Sequence, residues 1–285
     1  ENDSVNRIMA RVDEQLKRGA RVWPQVQTRP IDISFCFEVP SLLFIRLPSW
    51  YQMMRFGSHD DIKAALKDEA KRKQLVAEAA TMSRMWDGLI LRQVDSDANQ
   101  QFVGKTLAEI AVTRNTSTID TMIDLSIEED LQAHFLALNM GHTDNDIVGS
   151  LLANPRVHLG ASDGGAHILS FSTYGDTGYL FSQFVRNCKA LTVEEAVKKI
   201  TLDTASIWGM NNRGLLHLGY AADITIFDAE QIDRGEEYYV QDVPGDGSRY
   251  VRDSVGIDTV IIGGEIAYRH GEYTESAIGS IIPGA

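Results

Sequence analysis

Two cysteines in 285 residues, Cys36 and Cys188, stand far apart and form no Cys-x-x-Cys pair. That scarcity argues against both a disulfide framework and a zinc knuckle, and fits free thiols in a reducing compartment. No stretch reaches the roughly 18 to 20 apolar residues that cross a bilayer, and no basic segment followed by an apolar one opens the chain. The expectation is a cytoplasmic protein without a membrane partner. Basic residues are in deficit too: 27 Lys and Arg face 40 Asp and Glu, a formal net charge of -13. Nucleic acid is not an expected partner, because phosphate neutralisation needs clustered Lys and Arg. Internal repeats and low-complexity tracts are also absent. With 44% hydrophobic and 24% charged residues, the chain has the means to build a full core, as one large domain or as a domain plus a smaller module.

The chain begins Glu1-Asn2-Asp3-Ser4, without an initiator methionine. Val5, Ile8, Met9, Val12 and Leu16 then mark an apolar helical stripe, with Asp3 or Ser4 as N-cap and Gly19 as the stop. Arg21 to Val26 reads as a strand. From Thr28 to about Trp50, Pro30, Pro40 and Pro48 interrupt aromatic and aliphatic residues, an irregular connection of the length that usually serves as a lid. A helical stretch follows from Asp60 to about Met85, capped by Ser58 or Asp60, then a strand over Trp86 to Val94 and a helix opening at Thr106. Helical segments are expected to continue to about residue 153.

The most informative stretch is Val157-His158-Leu159-Gly160-Ala161-Ser162-Asp163-Gly164-Gly165-Ala166-His167. It reads as a buried strand delivering one carboxylate into a glycine-rich turn, where backbone can approach a ligand closely. Downstream, Leu191 to Ile200 forms an amphipathic helix whose Thr192 and Glu195 make a capping box. Beyond Gly219 the character changes to short strands, Ala222 to Asp228 and Val255 to Tyr268, the latter turning at Gly263-Gly264 as a hairpin.

The run Thr201-x-x-x-Ala205-x-x-x-Gly209-x-x-x-Arg213-Gly214-x-Leu216-x-x-Gly219-Tyr220-x-Ala222-Asp223-Ile224-x-x-Phe227-Asp228, followed by Val260-Ile261-Ile262-Gly263-Gly264, resembles the C-terminal end of the metal-dependent amidohydrolase superfamily. The Ser-Asp-Gly-Gly-Ala-His turn, with Gln27-Thr28-Arg29-Pro30 and the long insertion, is most similar to its D-aminoacylase-like branch, which includes N-acyl-D-amino-acid deacylases. The resemblance implies an α/β fold: the C-terminal part of a distorted (β/α)8 barrel with a small flanking β-sandwich module. Residues 1–218 would supply the barrel part, from its sixth helix onward and with a lid or insertion over about 28–153, and residues 219–285 the sandwich strands. It further implies hydrolysis of a non-peptide C–N bond in a small amide, assisted by one or two zinc ions. Asp163 would bind metal and also accept the proton of the attacking water. A cyclic amidase of the dihydropyrimidine or hydantoin type is the second enzymatic reading, and a non-catalytic homologue or subunit is the rival from outside enzymology.

The family's paired His-x-His has no counterpart among His59, His134, His142, His158, His167, His217 and His270. The expectation is therefore that the remaining metal donors come from a missing N-terminal half or a companion chain, and that this polypeptide alone is incomplete and inactive; homo-oligomer formation is left open. Around Asp163, His167 fits either a substrate contact or a histidine bonding its own loop. Gln25, Gln27 and Arg29 stand at the expected mouth of the seventh barrel strand, where Arg29 suits a substrate carboxylate and Gln27 a neighbouring substrate contact, set against an ordinary arginine preceding proline. His142 and Asp144 read as a polar loop that caps a helix. Arg213, Gly214 and Asp223 read as structural.

Overall fold

The computed structural model describes residues 2–38, 41–160, 175–245, 247–274 and 278–282. Helix α1 (Asn2–Lys17) follows the apolar stripe of the sequence. It begins before Asp3 and Ser4, so neither is its N-cap; Asp3 sits in the first turn instead, where a negative charge favours the helix end. Gly19, at φ +82°, ends the helix and donates its N–H to the Leu16 carbonyl at 3.0 Å. The strand expected over Arg21 to Val26 contracts to β1 (Gln25–Val26), since Pro24 has no N–H to add to a ladder.

Between β1 and residue 141 the chain builds a unit with its own core. Strand β2 (Ile33–Phe35) precedes a 3₁₀ turn over Leu42–Phe44 and the helices α2 (Pro48–Phe56), α3 (His59–Lys67), α4 (Glu69–Ala79) and α5 (Ser83–Asp87). Strand β3 (Ile90–Gln93), helices α6 (Asp97–Gln100), α7 (Leu107–Arg114) and α8 (Thr118–Glu128), and strand β4 (His134–Ala137) complete it. The three strands lie in the order β2-β4-β3, antiparallel throughout, with Ile33 opposite Ala137 and Leu91 opposite Phe135. Phe44 stacks on Trp50 and on Trp86 at centroid distances of 5.1 and 5.3 Å, and both indoles donate inward, to the Leu75 carbonyl at 2.9 Å and the Ala79 carbonyl at 2.8 Å.

Three expectations change here. The helical stretch from Asp60 to Met85 is broken at Asp68, which ends α3 and whose carboxylate accepts from Lys71 N at 2.7 Å to start α4. Trp86 belongs to α5 rather than to a strand, and the strand is confined to Ile90–Gln93. The helical segments that end at Ala153 are interrupted, because His134-Phe135-Leu136-Ala137 is the central strand of the sheet. A short apolar run buried on both faces has no alternation to distinguish it from a piece of buried helix. Ser58 and Thr106, by contrast, cap α3 and α7 with reciprocal boxes to Asp61 and Glu109.

Helix α9 (Asn145–Ala153) leads into β5 (His158–Leu159), which pairs in parallel with β1 across the whole insertion: Gln25 lies opposite His158 and Val26 opposite Leu159. After it come α10 (Asp176–Tyr179), a π-helical stretch over Leu180–Asn187, α11 (Val193–Lys198) with the expected Thr192–Glu195 box, and α12 (Thr204–Ile207). Val26, Val148, Leu152, Val157, Leu180 and Phe184 form the second core beneath β1 and β5. The tail supplies β6 (Ile224–Phe227), a long hairpin of β7 (Asp233–Val243) and β8 (Gly247–Val255), then β9 (Ile257–Ile262), β10 (Glu265–Arg269) and β11 (Glu272–Tyr273). Strands β6, β9, β10 and β11 share one antiparallel sheet, whose β9–β10 turn places Gly263 and Gly264 at φ +59° and +90°. No helix among the described residues is long and apolar enough to cross a membrane.

Candidate functional site

The C-terminal ends of β1 and β5 lie side by side, and the register explains why. His158 N donates to the Pro24 carbonyl at 2.9 Å and Gly160 N to the Val26 carbonyl at 2.8 Å, a parallel ladder that closes just where both strands stop. Glycine suits position 160, since a Cβ there would lie 3.3 Å from the Val26 carbonyl carbon and oxygen. Beyond Gly160, Asp163 and His167 fall outside the described residues. On the other strand, Gln27 is half-buried and Thr28 and Arg29 are buried.

Thr28 and Arg29 turn toward α10. Thr28 Oγ1 donates to the Asp176 backbone carbonyl at 3.0 Å and lies 3.3 Å from Asp176 Oδ1, while Arg29 Nε lies 3.3 Å from Asp176 Oδ2 and Arg29 Nη1 donates to the Pro30 carbonyl at 3.2 Å. Both partners of the ion pair are almost fully buried, with side-chain exposures of 5% and 6%. Burial pushes the Asp176 carboxyl above the ordinary aspartate range, against the opposing pull of Arg29 and Thr28. Arg29, the sequence candidate for a substrate carboxylate, thus already holds an internal one. Asp176 carries no sequence signal, because its partners lie 147 and 148 residues away.

Above this pair the insertion meets the β7–β8 hairpin. Arg92 of β3 is ion-paired with Glu237 of β7 and lies over the Tyr250 ring at 3.4 Å, and Arg252 of β8 reaches Glu237 at 3.4 Å. The Tyr250 hydroxyl lies 3.3 Å from His134 Nδ1. Burial, with Arg234 and Arg29 nearby, lowers the Arg252 pKa to about 10, opposed by Asp32. Burial, aided by Arg92, also holds the His134 imidazole below its ordinary range, which favours the neutral ring. None of these residues was singled out from the sequence.

Other sequence candidates resolve structurally. Asp144 caps α9, accepting from Asp146 N at 3.1 Å and Ile147 N at 3.0 Å. His142, at φ +56°, lines a cavity of about 350 Å³ with Ile8, Met9, Pro24 and Val26. Arg213 is ion-paired with Asp223, and a Cβ on Gly214 would come within 2.9 Å of the Leu202 backbone. Cys36 is buried and Cys188 exposed. Among the described residues no three His, Cys, Asp or Glu side chains gather into a metal-holding set. The described residues therefore do not fit a resident zinc ion by themselves, and no chemical step is assigned to one.

The described fold is an α/β scaffold in which the parallel strands β1 and β5 end side by side. The chain belongs to the Amidohydrolase family, whose model matches residues 55–268. The solved N-acyl-D-glutamate deacylase of Bordetella bronchiseptica, complexed with zinc and a phosphonate inhibitor, superposes with a TM-score of 0.53 over 93% of this chain and 43% of that one, at 19% identity; that likeness is one of fold. An uncharacterized protein of Mycobacterium tuberculosis is 26% identical over 185 residues, covering 61% of this chain and 30% of its own length. The N-acyl-D-glutamate deacylase of Alcaligenes xylosoxydans xylosoxydans is 36% identical over 59 residues, 21% of this chain and 12% of that enzyme, which supports the D-aminoacylase-like branch. The chain thus spans 30% of the length of the mycobacterial relative.

Proposed function

We propose that the protein carrying this chain hydrolyses the amide bond of N-acyl-D-amino acids. The observation that carries the reading is the family match over residues 55–268, which takes in the Asp163 turn together with the tail that follows it. In this reading β1 and β5 are the seventh and eighth strands of a distorted (β/α)8 barrel, and their C-terminal ends open on the site, as barrel enzymes place their chemistry. The tail from about residue 219 is the β-sandwich module, and residues 1–218 are the barrel part with its insertion.

Water adds to the amide carbonyl, the C–N bond breaks, and a carboxylic acid and a free amine leave. Asp163 takes the proton of the attacking water and returns it to the departing nitrogen, a two-way transfer within the reach of one carboxylate. Gln27, at the exit of β1, and His167 are the proposed substrate contacts. Asp163 is also the residue proposed to contribute to zinc binding, with the other donors supplied from outside the described residues. Incubating the protein as its gene encodes it with paired N-acetyl-D- and N-acetyl-L-amino acids, and measuring released amine, tests the reading. Release from the D-series alone supports it. Ring opening of a hydantoin or dihydropyrimidine with no release from either series would replace it by the cyclic-amidase reading.

A further inference from the structure

Asp176 occupies a position that neither the sequence motif nor the proposed reaction assigns. It is the first residue of α10, a helix too short to act through its N-terminus, so whatever it does lies in its side chain and in what that side chain joins. Its two carboxylate oxygens meet different residues: Thr28 Oγ1 is 3.3 Å from Oδ1, and Arg29 Nε is 3.3 Å from Oδ2. Thr28 additionally donates to the Asp176 backbone carbonyl at 3.0 Å. Three contacts from two consecutive residues fix both the side chain and the main chain of one turn.

The opposite side of α10 is equally fixed. A Cβ on Gly175 would come within 2.5 Å of Arg234 Cβ, and one on Gly178 within 2.5 Å of the Asp233 carbonyl oxygen. These glycines let α10 press directly on the start of β7, and the Arg234 guanidinium lies over the Tyr179 ring at 4.5 Å. The turn is therefore held between the exit of β1 and the long hairpin, and Asp176 is the group through which the β1 side holds it.

We propose that Asp176 is a positioning residue that locks the exit of β1, through Thr28 and Arg29, to the start of α10. This rests on the reading of Asp163 as the proton-transferring carboxylate. Thr28 and Arg29 adjoin Gln27 at the exit of β1, and Asp176 opens α10, so one buried carboxylate fixes the exit of β1 against that helix. Arg29 serves this tie from inside the protein, and a substrate carboxylate is left to other donors.

The test uses Asp176→Asn, Asp176→Glu and Thr28→Val in the protein as its gene encodes it, each compared with the wild type at equal folded concentration. Misplacement of a reacting group by about 1 Å costs on the order of a hundredfold in rate, so Asp176→Asn is expected to lower kcat by about that factor while KM changes by less than about threefold. Asp176→Glu should recover part of the loss. Hydrogen exchange supplies a second readout: peptides covering 25–32 and 175–187 should exchange at least about tenfold faster in Asp176→Asn, with peptides of the insertion core unchanged. If Asp176→Asn does not fold, Thr28→Val is expected to show the same pattern in weaker form. Wild-type kcat in the folded variants, or unchanged exchange in both peptides, overturns the proposal. Wild-type protein that releases no amine from any substrate overturns the amidohydrolase reading instead, and the exchange data still decide the role of Asp176.

Discussion

Arg29 and Asp176 stand 147 residues apart in the chain and form an ion pair, Nε to Oδ2 at 3.3 Å, with both side chains almost fully buried. This contact, with Thr28, brings the exit of β1 to the start of α10.

Removing one partner should be costly. In Arg29→Met the Asp176 carboxylate keeps Thr28 but loses its cation, and breaking a buried pair from one side typically costs about 3–5 kcal/mol. The sign of the pH dependence follows from the carboxyl being raised by burial. A carboxyl whose folded pKa exceeds its unfolded value stabilises the fold most when protonated, and that contribution is lost as pH rises through the folded pKa. Without Arg29 the folded pKa climbs further. Urea denaturation should therefore show the deficit of Arg29→Met shrinking as the solution is acidified toward the range where Asp176 protonates.

His134 gives the opposite slope. Burial depresses its pKa below 6.5 in the folded state, so unfolding takes up a proton once the pH falls below the unfolded value, and stability is lost through that window. Replacing His134 by Phe removes this contribution. The decline in stability between neutral pH and about one unit below 6.5 should be shallower in the variant, as read by thermal melts at a series of pH values.

At the junction of insertion and hairpin, the two ends of the ion cluster are not equivalent. Arg92→Met leaves Glu237 with Arg252 as partner, whereas Glu237→Gln leaves two neighbouring arginines facing a neutral group. Glu237→Gln removes the charged partner of two arginines at once, although Arg252 keeps the Gly235 carbonyl and Arg92 the Tyr250 ring, whereas Arg92→Met removes one contact. Each charge-assisted contact is worth about 1–3 kcal/mol. Denaturant midpoints should rank wild type above Arg92→Met and Arg92→Met above Glu237→Gln.

Gly178 tests the fit of α10 on β7. An alanine Cβ would stand 2.5 Å from the Asp233 carbonyl oxygen, 2.6 Å from its carbon and 2.9 Å from Arg234 N, all of them backbone. Overpacking of that kind costs about 1–3 kcal/mol. Gly178→Ala should lower Tm measurably, whereas Gly19→Ala, with open space around the added carbon, should show only the cost of its positive φ.

What was legible in the sequence was local. The apolar stripe of α1, the Thr192–Glu195 box of α11 and the Gly263-Gly264 turn are each specified within a few residues, and each stands where its pattern indicates. The Val157 to Gly160 run likewise gave β5, and its parallel partner β1 lay inside the longer strand expected over Arg21 to Val26. Strand β4 escaped because residues on both of its faces are buried, so the alternation that reveals a half-exposed strand is missing. Asp176 escaped for another reason: an aspartate after a glycine is indistinguishable from a surface turn until the fold places Thr28 and Arg29 against it. The Arg92–Glu237 and His134–Tyr250 contacts were hidden in the same way, by pairing across the insertion and the hairpin.

Asp163→Asn is the most direct test of the central claim, because it retains an oxygen in place of the carboxylate while removing the group proposed to carry the proton. With circular dichroism confirming an unchanged fold, kcat for N-acyl-D-amino acid hydrolysis should fall by about 10²-fold or more, the usual contribution of a positioned acid–base group. A folded Asn variant that releases amine at the wild-type rate would contradict the account.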